Sequence, residues 1–167
     1  MNLIVNTSKN WGIGKNGNLL KFLKPDMKYF RETTTGGVVI MGRKTLETFP
    51  DCKPLKNRVN IVITANPEYR CDGATVCSSP EEALRIAAEY DSDSVYVIGG
   101  SSIYAWFLPY CRVAFVTRMD WDADADCFFP NLDANADWRC VDEGDWQEYE
   151  GLRFRFAKYE NGNVLEG

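Results

Sequence analysis

Short apolar runs that end on glycine and lead straight into helix-starting sequence set the architecture open to this chain. Val38-Val39-Ile40-Met41 stops at Gly42 and gives way to Arg43–Phe49, which Pro50 closes; Ser94–Ile98 stops at Gly99-Gly100 and gives way to Ser101–Leu108, which Pro109 closes. A run of four apolar residues without polar alternation reads as a strand buried on both faces. Leu3–Val5 and Val59–Ile63 read the same way, Ala74–Cys77 as a shorter strand, and Arg112–Thr117 as a further one. Between them, Pro25–Thr34 starts on a proline and stops at Gly36-Gly37, and Ser79-Pro80-Glu81-Glu82 caps a helix running to about Tyr90. Strand and helix in alternation imply a mainly parallel sheet with helices on both faces.

The tail differs. Leu152-Arg153-Phe154-Arg155-Phe156 alternates with period two, as a half-exposed antiparallel strand does, with Trp138–Glu143 as its partner across the polar segment 144–151. The expectation is therefore an α/β fold: one domain over residues 1–167, a central mainly parallel mixed sheet with an antiparallel C-terminal strand, and helices on both faces.

Composition removes whole classes of chemistry. The chain has no histidine, so histidine general-base catalysis and a Ser-His-Asp triad are out, and a zinc site has almost no donors left. None of the six cysteines falls in a C-x-x-C pair, and no secretory signal precedes them, which predicts buried reduced thiols in a cytoplasmic protein. No apolar run reaches membrane-spanning length. Residues 1–60 carry eleven Lys/Arg against four Asp/Glu, whereas residues 61–167 carry eight against twenty. An acidic whole disfavours nucleic acid, and a basic N-terminal third suits small anionic ligands; two solvated faces of opposite sign would give the same numbers.

Gly12-Ile13-Gly14-Lys15-Asn16-Gly17 matches the G-x-G-x-x-G dinucleotide fingerprint, but the next helix starts eight residues after Gly17, so no helix N-terminus meets a phosphate there. A mobile glycine-rich loop that closes as a lid is the better reading. The turns Gly42-Arg43-Lys44-Thr45 and Gly99-Gly100-Ser101-Ser102 are better anion sites, the first supplying two cations. Asp26 has two readings. An acid in a first helical turn ordinarily complements the helix dipole. This one stands among Leu19, Leu20, Phe22, Leu23, Met27 and Phe30, and a carboxylate kept from water must be paired or must hold its proton.

Taken together, Trp11–Gly14, Asp26 with Phe30, Val39–Thr45, Pro54-Leu55 with Arg58 and Asn60-Ile61, Val97–Gly100 with Ile103-Tyr104, and Thr117 resemble the bacterial dihydrofolate reductase family, in order and over nearly the whole chain. The resemblance implies NADPH lying across the strand ends. Arg43, Lys44, Thr64, Ala65 and Ser78 would serve its adenosine 2′-phosphate end, and Thr45 beside Gly42 its pyrophosphate. Gly99-Gly100 would be a cis-peptide turn under the cofactor, followed by Ser101, Ser102 and Ile103, while Ile13, Gly14, Gly17, Asn18 and Leu19 would close over the nicotinamide. Dihydrofolate would lie against Ile4, Met27, Phe30 and Ile98, with Phe49, Lys53 and Leu55 along its benzoyl ring and Arg58 pairing with its glutamate carboxylate.

Asp26, assisted by Thr117 through a water, would bind the pterin and favour protonation at N5, and Tyr104 would sit near the nicotinamide. Diaminopyrimidine and pteridine antifolates would compete for the same place, and the protein would act as a monomer without nucleic acid or membrane partners. The chain departs from the family pattern at Lys21, where tryptophan is common, at Pro25, one place from the usual proline, at Asn6, where alanine is common near the nicotinamide carboxamide, and at Ala65, where a polar or basic residue is common. Two rivals share the sheet. The reductase domain of riboflavin biosynthesis usually accompanies a zinc deaminase segment that this chain lacks, and a non-catalytic nucleotide binder would not need Asp26.

Overall fold

The computed structural model describes residues 1–167. Its elements, in chain order, are β1 (Asn2–Thr7), β2 (Gly12–Lys15), β3 (Asn18–Leu19), α1 (Lys24–Thr34), β4 (Val38–Gly42), α2 (Arg43–Leu46), β5 (Val59–Ile63), β6 (Ala74–Cys77), α3 (Pro80–Ala87), β7 (Val95–Gly99), α4 (Ser101–Phe107), β8 (Val113–Met119), β9 (Cys127–Phe128), β10 (Trp138–Glu143), β11 (Gln147–Tyr149) and β12 (Leu152–Asn161). The main sheet runs β10-β12-β8-β1-β7-β4-β5-β6. From β8 to β6 every neighbouring pair is parallel, and β12 enters antiparallel to both β8 and β10. The expected mixed sheet with an antiparallel C-terminal strand is present.

Burial follows the strand period. On β4, Val38 and Ile40 enter one core, together with Ala83 and Ala87 of α3 and Tyr104 and Phe107 of α4; Val39 and Met41 enter a second, with Leu46 of α2. Both faces of β4 are thereby closed, which is why its sequence shows no alternation. On the second face α1 covers the β8–β12 end, with Tyr29 stacked on Phe156 at 4.1 Å between ring centroids. The α3 cap forms as the sequence indicates, Ser79 accepting from the Glu82 amide at 3.1 Å.

Three expectations need correction. The helix after Gly42 ends at Leu46 rather than Phe49, and a separate 3-10 turn spans Pro50–Cys52. The stretch after Trp11 is not a bare loop: β2, β3 and β9 form a small second sheet, with Asn16 and Gly17 at φ 52° and 80° as the two-residue turn between β2 and β3. Gly12 is packed rather than free, since a Cβ there would lie 2.6 Å from that of Ala125. Finally, all six cysteines are unpaired but only Cys77 and Cys111 are buried, burial pushing their thiols up to about 11 and about 12; Cys52 is exposed. No helix is long and apolar enough to cross a membrane.

Candidate active site

The parallel strands carry their chemistry at one end. β1 and β7 pair only at Asn2↔Tyr96 and Leu3↔Val97, although both strands continue, so they part toward their C-terminal ends. Beyond the last pair, the Ile4 carbonyl accepts from the buried Tyr104 hydroxyl at 2.7 Å. Crevices of this kind at strand C-termini are where ligands enter open α/β sheets.

On the α1 side of this opening sits Asp26. β1 and β8 pair Asn6 with Thr117 directly, so both side chains share one face. Thr117 donates its hydroxyl to Asp26 Oδ1 at 2.6 Å, and Asn6 donates Nδ2 to Oδ2 at 3.0 Å. The expected water between Thr117 and the acid is not needed; strand register and the first turn of α1 bring the two within direct reach. Burial pushes the Asp26 carboxyl above its ordinary range, and the two hydrogen bonds, Thr117 first, pull against that. Met27 is exposed at 37 % and Phe30 half-buried beside it. Leu19 at 63 % and Phe22 at 59 % are the other large apolar side chains left open on this segment.

The remaining expected residues fall into groups. Phe49, Leu55 and Ile98 pack together over the cluster of Val39, Met41, Leu46 and Val62. The loop leading to Arg58 is locked by Asn60, whose amide accepts from the Leu55 amide at 3.0 Å and donates to the Leu55 and Arg58 carbonyls at 2.9 and 3.1 Å. Arg58 in turn donates to Lys56 O at 2.9 Å and to Thr34 Oγ1 at 3.0 Å. Burial, and then the neighbouring guanidinium of Arg31, push its pKa down, and a pair of neighbouring cations suits an anionic group. The sequence reading gave Arg31 no role; its place in the last turn of α1, five residues after Asp26, was the available signal.

A third group lies under the β4 and β7 ends. The Gly99–Gly100 peptide is cis. A Cβ on Gly99, at φ 137°, would come within 3.3 Å of Thr45 Oγ1 and 3.7 Å of the Tyr104 ring, and one on Gly42 within 3.3 Å of Ile103. Gly42, Thr45, Gly99, Ile103 and Tyr104 therefore meet, and a side chain at Gly42 or Gly99 would crowd its neighbours, at Gly99 also straining the backbone. Ile13 and Ile103 both pack onto the core that contains Tyr104.

Further along, a surface cleft of about 450 Å³ at the β5 and β6 ends is lined by residues that include Thr64, Tyr69 and Ser78. Arg43 lays its guanidinium 4.6 Å above the Tyr69 ring and bonds Glu47 Oε1 at 2.9 Å. Ser78 gives both its amide and its hydroxyl to Glu82, at 2.8 and 2.9 Å. Gly17, Asn18, Lys44, Lys53, Ala65 and Ser102 are exposed, Gly14, Gly100 and Ser101 half-buried. Lys21 forms none of the ion pairs, and nothing in the structure explains its substitution for an aromatic residue.

The family model described as dihydrofolate reductase matches residues 1–161. Among individual proteins, the dihydrofolate reductase of Bacillus subtilis (strain 168) is 35% identical over 153 residues, covering 90% of this chain and 88% of that protein. That of Sus scrofa is 37% identical over 184 residues, covering 98% of each. A solved dihydrofolate reductase from Enterococcus faecalis, complexed with NADP(H) and RAB-propyl, superposes with a TM-score of 0.85 at 33% identity, over 96% of this chain and 95% of that one.

Proposed function

The chain belongs to the dihydrofolate reductase family of NADPH-dependent oxidoreductases, and from that premise we propose that it reduces 7,8-dihydrofolate to 5,6,7,8-tetrahydrofolate with Asp26 as the acid that governs protonation at N5. The observation that carries this reading is Asp26 itself. Among the carboxylates it is the one pushed upward, while Glu82 and Asp126 are pushed down by hydrogen bonds from backbone amides. It stands at the mouth of the sheet with neutral partners from two strands.

The residues present fit NADPH. The side-chain-free backbone of Gly42, Gly99 and Gly100 beside Thr45 leaves room for a close approach, and Arg43 with Lys44 offers cations for an extra phosphate. Thr64, Ala65 and Ser78 would flank the adenosine end, and Ser101, Ser102, Ile103 and Tyr104 would follow the double glycine under the nicotinamide. Ile13, Gly14, Gly17, Asn18 and Leu19 would cover it. When bound, NADPH supplies the hydride that reaches C6 of the pterin.

The protein's own part is to bind, orient and adjust a proton. Asp26, held by Thr117, would receive the pterin's 2-amino and N3 donors, and a carboxyl poised above its ordinary range favours a water-borne proton at N5. Ile4, Met27, Phe30 and Ile98 would exclude water from the ring; Phe49, Lys53 and Leu55 would line the benzoyl portion. Arg58, with Arg31 beside it, would take the glutamate carboxylate. Antifolates that present an amidine-like donor pair would compete at Asp26. We read residues 1–167 as one domain acting as a monomer, and the six unpaired thiols suit a reducing, cytoplasmic setting.

Purified protein given NADPH and dihydrofolate should consume the cofactor's nicotinamide absorbance. Turnover with a ribosylamino-pyrimidine but none with dihydrofolate would transfer the site to the riboflavin-type reaction.

A further inference from the structure

Asn6 uses only half of its buried hydrogen-bonding capacity. Its Nδ2 donates to Asp26 Oδ2 at 3.0 Å, while its Oδ1 is buried and has no partner. Two buried amides elsewhere in the fold are engaged through both atoms. Asn60 accepts from the Leu55 amide and donates to the Leu55 carbonyl, and Asn161 donates to the Cys111 carbonyl while accepting from the Asn163 amide. A buried amide oxygen left alone is unfavourable unless something supplies a donor. The free atom sits on the group that touches the acid, at the strand end where β1 and β7 part.

We propose that Asn6 is a positioning residue for Asp26 and that its free Oδ1 accepts a hydrogen from the exocyclic amino group of the bound heterocycle. The inference rests on the reading of Asp26 as the acid that binds the pterin. An exocyclic amino group carries two hydrogens. A carboxylate that also takes a ring N–H uses one of them, and the second points to whatever stands beside the carboxylate. On the Oδ2 side that neighbour is Asn6, fixed by pairing with Thr117 in the adjacent strand; on the Oδ1 side it is Thr117, whose hydroxyl hydrogen is already given to the acid. The Nδ2 donor favours the carboxylate form of the acid, so without it Asp26 holds its proton longer. The ionisable groups that feel the charge of Asp26 are Tyr29 on α1 and Tyr104 on α4; both are pushed upward, first by burial, so neither changes charge near neutrality.

The test uses Asn6→Leu, close in shape, and Asn6→Ala, smaller and without risk of overpacking, each checked for folding by circular dichroism. The readouts are the Asp26 titration followed by carboxyl carbon-13 NMR and the Kd of a 2-amino-4-oxopteridine. In both variants the titration should move upward, and the pteridine should bind about tenfold more weakly. Its 2-dimethylamino counterpart, which has no amino hydrogen, should not distinguish the variants from wild type. An unmoved titration with unchanged pteridine affinity in either folded variant overturns the proposal. So does weaker NADPH binding with unchanged pteridine binding, which would assign Oδ1 to the nicotinamide carboxamide. Wild-type turnover of dihydrofolate, lost in Asp26→Asn, is measured alongside: its failure removes the underlying reading, whereas its success with unmoved Asn6 variants removes only this one.

Discussion

Thr117 and Asp26 stand 91 residues apart in the chain and 2.6 Å apart in space, hydroxyl to carboxylate. The contact ties the first turn of α1 to the centre of β8, and it shows which of two ordinary roles the acid has. A carboxylate that only complements a helix dipole faces water; this one faces the next strand over, with its pKa raised by burial. Asp26→Asn preserves the shape; one of the two acceptor oxygens becomes an NH2, which Asn6 can meet with Oδ1 by turning its amide over. Its turnover of dihydrofolate near neutral pH should fall by about 100-fold or more, the usual scale for losing a positioned acid. NADPH binding, followed by fluorescence titration, should persist. Unchanged turnover would take the acid out of the chemistry.

The same shift has a consequence for stability. A folded-state pKa above the unfolded value means that the folded protein holds this proton longer. Between the ordinary aspartate value of 3.8 and the raised folded value, the wild type therefore loses stability as pH rises, and the loss is complete above that window. Asp26→Asn carries no such proton. The difference in unfolding free energy, variant minus wild type, should grow from acid pH toward neutrality and then level off. A denaturant series across that range reads it, and a difference that is flat or declines contradicts the buried-acid assignment.

Arg43 is engaged on two sides, over the Tyr69 ring and against Glu47, both partly exposed. Neither contact uses up a guanidinium with five donors. Arg43→Ala should weaken NADPH binding by roughly tenfold or more, the worth of a hydrogen bond to a charged group, and leave NADH nearly unchanged. Comparing kcat/KM for the two cofactors checks it; an undiminished preference moves the phosphate site elsewhere.

Arg58 is pre-oriented by Thr34 Oγ1 and Lys56 O, with Arg31 as its cationic neighbour. Lysine keeps the charge and loses the planar fork. Arg58→Lys should raise the KM for dihydrofolate about tenfold while leaving a dihydropterin without its glutamate unaffected. Equal effects on both substrates would place the arginine's role in folding instead.

The strands of the main sheet were legible because burial on both faces leaves uninterrupted apolar runs, as in Val38–Met41 and Val59–Ile63. The acid was legible because its neighbours in sequence are apolar. What escaped the reading depended on partners distant in sequence or on local chemistry given too little weight. Asn16-Gly17 is the strongest two-residue hairpin signal a chain can carry, yet the flanking glycines show no strand alternation, and β2 finds its other partner in Cys127–Phe128. Asn6 looked like an odd replacement for a small residue; only the β1–β8 register reveals that it reaches the carboxylate. The short α2 gives way past Leu46 to three-residue turns, Thr48 N to Thr45 O and Phe49 N to Leu46 O, and Phe49, the residue before Pro50, is already extended.

The entry to the β2–β3 hairpin is held by Arg118. Its guanidinium lies 3.8 Å from the centroid of the Trp11 ring, and it donates to Thr7 Oγ1 at 2.8 Å, to Lys9 O at 3.1 Å and to Ser8 O at 3.3 Å. Trp11 itself sits at φ 65°, a conformation that a bulky residue keeps only when its surroundings enforce it. Farther along, the Asn16 amide donates to Asp126 Oδ2 at 2.9 Å and Lys15 pairs with Asp124 at 3.1 Å, so the hairpin is anchored at its base by Arg118 and at its tip by weaker, exposed contacts. Arg118→Met keeps much of the stem and removes every one of the polar contacts. It should cost about 2 kcal/mol, from lost hydrogen bonds and the cation–π contact, which for a chain of this size is a fall in Tm of roughly 4–8 °C. Because the hairpin is the segment proposed to cover the nicotinamide, NADPH should also dissociate faster from the variant. A lowered Tm with an unchanged NADPH off-rate in stopped-flow displacement would separate the anchor from the lid and leave Arg118 with a purely structural role.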